Sequence, residues 1–135
     1  MESLNHKILI NITIDFIKEE LDIQASFLQI DNGENKARPQ QMTKGFIPDI
    51  YYEYLNKLVI GEAKTSKDFN RSHSMEQYEA YMKKCHLYEG KAVFVLAVPW
   101  TEFISAKKII RKIKEQNQYK FKCFIISDFK IKEEL

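Results

Sequence analysis

Three residues stand out for the chemistry their types and spacing allow. Asp49, Glu62 and Lys64 fall in two β-rich segments, 46–54 and 57–64, separated only by Leu55 and Asn56. If Leu55-Asn56 is a two-residue turn, Tyr54 faces Lys57, and counting outward sets Asp49 directly opposite Glu62 on one face of a hairpin. Opposed residues of an antiparallel pair have Cβ atoms about 4.5–5.5 Å apart, where two like charges repel unless a cation lies between them. Lys64 projects from the same face about 6.6 Å further along the strand. Two carboxylates of this kind are hard oxygen ligands and suit Mg²⁺ or Mn²⁺ rather than zinc. This alignment depends on the turn. A four-residue loop keeps the same face, whereas a three-residue loop separates Asp49 from Glu62. Without a cation, the same charges read as an ordinary surface ion pair between neighbouring strands.

The elements that must position these side chains follow from periodicity. From Leu4 to Leu21 apolar residues recur at helical spacing, with Asn11, Asp15, Lys18 and Asp22 on a polar stripe, so a first helix is expected. Residues 25–30 read as a strand ending at Asp31-Asn32-Gly33, and a long polar loop runs to Lys44. The hairpin comes next. Ser74, with Gln77 three residues on, resembles a capping box for a second helix to Tyr88, with Gly90 beyond it. Residues 92–98 are almost wholly apolar, the pattern of a strand covered on both faces, and Pro99 ends it. Thr101 caps a third helix to Gln116, with Phe103, Ile104, Ile109, Ile110 and Ile113 inside and its lysines outside; residues 119–127 form a last strand. The order α-β-β-β-α-β-α-β implies an α/β fold, a mixed central sheet with helices packed on it.

With 135 residues, 44% hydrophobic and 30% charged, and only 4 Gly and 3 Pro, the chain is expected to form one domain over residues 1–135 and is too rich in core-forming residues for disorder. The longest apolar stretch, Ala92–Trp100, is far shorter than the roughly 20 residues of a bilayer span. No basic-then-apolar leader opens the sequence, so an intracellular, cytoplasmic protein without a membrane partner is expected. Cys85 and Cys123 lack Cys-x-x-Cys spacing and read as free buried thiols. His6 and His86 show no metal-ligand spacing, and Trp100 reads as a hinge or core residue. Net charge is +2, but residues 1–60 carry 6 basic and 9 acidic side chains while residues 101–135 carry 9 and 5. That asymmetry fits an acidic metal centre flanked by phosphate-facing lysines, and it fits a solvated basic helix equally well.

Pro48-Asp49, followed by Glu62-Ala63-Lys64 on the next strand, resembles the Pro-Asp…(Asp/Glu)-x-Lys signature of the restriction-endonuclease-like nuclease superfamily. The element order over residues 4–98 resembles that family's α-β-β-β-α-β core. Gln77 and Tyr81, four apart on one helical face, resemble the Gln-x-x-x-Tyr motif of many members, the RecB-like ones among them. The resemblance implies a three-layer restriction-endonuclease-like fold and metal-dependent hydrolysis of DNA, by a structure-specific nuclease similar to junction resolvases or by a stand-alone repair, phage or restriction nuclease. In that case Asp49, Glu62 and the Ala63 carbonyl hold Mg²⁺ or Mn²⁺, Lys64 neutralises developing phosphate charge, Gln77 orients the water or the lysine, and Tyr81 supports the site. Many members add an acid from the first helix, for which Asp15 ranks ahead of Glu19 and Glu2. Lys36, Arg38 and Lys44 on the long loop, with Lys67, Arg71 and His73 before helix two, are placed to meet phosphates. A homodimer is expected, since cutting both strands most simply uses two sites related by a two-fold axis. The alternative is a nucleic-acid-binding or assembly module that keeps the fold without turnover.

Overall fold

A computed structural model describes residues 4–31, 45–129 and 131–135 of the chain. Leu4–Leu21 forms the first helix, α1, as its apolar spacing requires. Its buried residues Leu9, Ile10, Thr13, Phe16 and Ile17 recur three or four apart and share one face. The sheet that α1 covers has six strands among the described residues: β1 (Gln29–Ile30), β2 (Ile50–Tyr54), β3 (Lys57–Ala63), β4 (Lys91–Val98), β5 (Lys122–Ser127) and β6 (Lys132–Glu134). They lie side by side in chain order. The first three are antiparallel, β3, β4 and β5 are parallel, and β6 returns antiparallel to β5.

Parallel neighbours need crossovers, which are helices α2 (Ser72–Leu87) and α3 (Phe103–Gln116). Both pack on one face, over Leu58, Ile60, Phe94, Leu96 and Ile125. α1 covers the opposite face, against Ile50, Val59, Val93, Val95 and Ala97. The fold is thus mixed α/β, with an open mixed sheet between helices. Central β4 is buried at every residue from Ala92 to Val98, as its unbroken apolar run demands. Gly61 lets α1 come close: a Cβ there would lie 3.1 Å from Ile50 Cβ and 3.2 Å from Thr13 Cγ2. Cys85 and Cys123 are free, buried thiols, and burial pushes the Cys123 thiol up to about 12. No helix among the described residues is long and apolar enough to cross a membrane.

Several local expectations are corrected. The strand expected over 25–30 is a 3₁₀ turn at Ala25–Phe27 followed by only two paired residues. The segment 46–54 pairs only from Ile50. Ser74 is not a cap: α2 starts at Ser72, and the Ser74 hydroxyl donates to the Asp68 carbonyl at 2.6 Å, bracing the preceding turn. Thr101 lies in a 3₁₀ turn, Trp100–Glu102, and α3 begins at Phe103 with Ile104 exposed rather than inside. Trp100 is 53% exposed and so is no core residue. The last strand starts at Lys122, because Tyr119 turns its ring toward His86, 5.1 Å away.

Candidate active site

The turn is the two-residue one. Leu55 and Asn56 both adopt left-handed φ, 49° and 61°, as in the hairpin turns whose twist matches paired strands. Pairing runs from Tyr54↔Lys57 to Ile50↔Gly61, which makes Asp49 and Glu62 the next pair outward. They clasp one another through backbone: the Asp49 N–H donates to Glu62 Oε1 at 3.0 Å, and the Ala63 N–H donates to Asp49 Oδ2 at 2.9 Å. The Asp49 carbonyl accepts the Asp31 N–H at 2.9 Å, tying β1's end to the same corner. Lys64 extends the β3–β4 ladder, its N–H donating to the Ala97 carbonyl at 2.9 Å. Its Nζ lies 3.4 Å from Glu62 Oε2 and donates to Gln77 Oε1 on α2. Asp49, Glu62, Lys64 and Gln77 are therefore brought together.

Glu62 is only 3% exposed. Burial drives its carboxyl well above the usual carboxylate range, the Asp49 charge pushes it further, and Lys64 pulls it back. The two acids also approach closely enough to hydrogen-bond when one is protonated. A buried pair of this kind needs a proton or a cation between its members. Tyr78 and Tyr81 of α2 lie fully buried. Both phenols are held protonated, chiefly by burial and then by the Glu62 charge, to which Asp49 adds for Tyr81. Tyr78 donates to the Phe69 carbonyl at 2.6 Å. Tyr81 has no hydrogen-bond partner among the described residues, although its buried hydroxyl lies within the field of both acids.

His6, which shows no metal-ligand spacing in the sequence, is brought to the acids by α1. Its Nε2 lies 3.2 Å from Asp49 Oδ2. A signal was available: His6 stands three and four residues before the buried Leu9 and Ile10, so it prolongs the buried stripe of α1 by one turn. Asp15 is not brought to the site. It is exposed, nine residues and about 13.5 Å of helix rise beyond His6, in a groove with Phe16, Ile126 and Ile131. Of the residues expected to meet phosphates, Lys36, Arg38 and Lys44 lie outside the described residues. Arg71 pairs with Asp68, 3.6 Å away, and the His73 ring packs edge-on against Phe46 at 5.3 Å. Lys67 lines a hollow beside Thr65 and Ser66, immediately after Lys64.

Among the described residues no three His, Cys, Asp or Glu side chains converge as a ready metal cage. The donors present fit a hard cation nonetheless: two abutting carboxyl groups, one of them buried, and an orphaned phenol in their field. Lys107 and Lys114 of the basic final third are committed elsewhere, to Glu133 at 2.9 Å and to the Phe121 and Leu135 carbonyls at 2.8 and 3.1 Å. No protein family, curated protein or solved structure matches the chain.

Proposed function

We propose that the chain is a divalent-metal-dependent nuclease that hydrolyses DNA phosphodiester bonds on a restriction-endonuclease-like fold. The observation that carries this reading is the clasped, buried Asp49–Glu62 pair with Lys64 held beside it by Gln77. Asp49, Glu62 and the Ala63 carbonyl would hold Mg²⁺ or Mn²⁺, and such a cation supplies Lewis-acid charge to the phosphoryl group and to a water. Glu62, whose raised pKa marks the cost of its charge, would hold such a cation as a carboxylate. Lys64 Nζ neutralises charge developing on the phosphate. Gln77 is a positioning residue that fixes Lys64, and His6 steadies the Asp49 carboxylate. Tyr81 keeps its proton and offers it as a hydrogen bond inside the site.

The test is cleavage of supercoiled, single-stranded and branched DNA with Mg²⁺, Mn²⁺ or EDTA. Lys64→Ala is expected to reduce cleavage by about 10²–10³-fold or more, the scale of one lost transition-state charge contact, with little change in DNA affinity. Absence of metal-dependent cleavage of every substrate would overturn the enzyme reading.

A further inference from the structure

We infer that Trp100 and Phe129, just past the ends of β4 and β5, form a stacking platform for unpaired nucleobases, which makes DNA with single-stranded nucleotides beside the cut the substrate class. The inference rests on the nuclease reading for its chemistry but on separate residues for its binding. Trp100 and Phe129 are 53% and 76% exposed and face each other edge-on, ring centroids 6.5 Å apart. Water-facing aromatic pairs of this size gain by acquiring a planar partner. Phe129 is held there at φ 59°, a left-handed backbone that bulky side chains rarely adopt. The Trp100 backbone N–H donates to Asp128 Oδ1 at 2.8 Å, which locks the two segments together.

Position connects the pair to the chemistry. Lys64 bonds to Ala97, and Trp100 follows three residues later, at most about 10 Å along extended chain. A stacked strand rises about 3.4 Å per nucleotide, so this spans about three nucleotides. Between the two lies a hollow of about 520 Å³ lined by Asn5, Thr65, Ser66, Lys67, Pro99 and Asp128. Asn5, Ser66 and Lys67 bring hydrogen-bond donors, whereas the Thr65 hydroxyl donates to Asp68, and Lys67 forms no ion pair among the described residues. Its acid, Asp128, is engaged with Trp100. Donors for a phosphate backbone that lead onto an exposed aromatic pair are the two components of single-strand recognition. A duplex hides its base faces inside its own stack and offers such a pair nothing planar, whereas a frayed end, gap or branch does.

Trp100 is the chain's single tryptophan, so its emission reports the platform directly. In EDTA, where nothing is cut, the full chain is titrated with oligothymidylate, with the same strand annealed to its complement, and with an abasic strand of equal length. Oligothymidylate is expected to quench Trp100, and the other two to bind about tenfold or more weakly without quenching. Phe129→Ala and Trp100→Ala, followed by anisotropy of a labelled strand, are expected to lose about tenfold in affinity, and Trp100→Phe to recover most of it. Equal binding and equal emission change with the abasic strand would overturn the inference. So would an emission change with protein concentration alone, accompanied by a doubled sedimenting mass, which would assign the face to a second copy of the chain. Base-dependent quenching without cleavage in Mg²⁺ leaves this inference standing and removes the catalytic reading; cleavage without base-dependent quenching does the reverse.

Discussion

The β2–β3 hairpin has two ends that meet opposite demands. At the turn, Leu55 and Asn56 are exposed, and their left-handed backbone is dictated locally by the twist of the strands they join. The Asn56 carbonyl accepts the Lys91 N–H at 2.9 Å, so the turn also anchors the start of β4. At the other end the Glu62 carboxyl is buried against that of Asp49, an arrangement that local backbone preference would never select. The strands and register are shared. What differs is where the geometry originates: the turn is self-determined, and the carboxylate end inherits its alignment through the intervening pairs. A slip of one residue at the turn would send Asp49 and Glu62 to opposite faces.

Breaking the turn end should give the largest stability effect. A Cβ on Gly90 would lie 2.1 Å from the Asn56 carbonyl oxygen, and backbone cannot yield as a flexible side chain does. Gly90→Ala is expected to cost about 3 kcal/mol, at the upper end of overpacking effects, lowering the melting temperature by roughly 10 °C in calorimetry. An unchanged melting temperature would show that the turn is not anchored to β4.

Relieving the carboxylate end should act in the other direction and more modestly. The raised Glu62 pKa means that the folded chain holds that proton more tightly than the unfolded one. Stability therefore falls as pH rises from the ordinary value near 4.5 through Glu62's raised value, and is flat on either side. Without divalent cation, Glu62→Gln is expected to raise the neutral-pH melting temperature by several degrees and to remove that slope, and saturating Mg²⁺ to shrink it in the unmodified chain. Superimposable pH profiles for the two proteins would show that Glu62 carries no strained charge. The smallest effect belongs to Leu55→Asn, which places a residue tolerant of left-handed backbone at φ 49° and should stabilise by about 0.5–1 kcal/mol. Denaturant titration reads it, and a loss of stability would mean that the Leu55 side chain holds the turn.

The contrast also explains what the sequence could disclose. Leu55-Asn56 between two period-two segments sufficed to place Asp49 opposite Glu62 and Lys64 on their face, because strand alternation propagates without further information. The four-residue spacing of Gln77 and Tyr81 put both on the inner side of α2, yet Tyr81's burial and Gln77's bond to Lys64 depend on how α2 settles over the sheet. Asp15 lies on the polar stripe of α1, which is exposed, whereas His6 reaches Asp49 as a continuation of the apolar stripe. Ser74 and Thr101 carry capping side chains, and tertiary turns claimed the backbone around them first. β6, Lys-Glu-Glu, has no apolar alternation to betray it; Lys107 and Arg111 hold its Glu133 at 2.9 and 3.4 Å.

Gly61 gives the molecule a fulcrum. Thr13 bears on the sheet at the one point where β3 has no side chain to resist it, and His6 lies seven residues along α1, an arm of about 10 Å. A helix levered at that point moves its far end more than its middle. A side chain added at Gly61 would press Thr13 and its helix off the sheet, so the approach of His6 to Asp49 depends on a bare position on the face of the sheet that carries neither Asp49 nor Glu62.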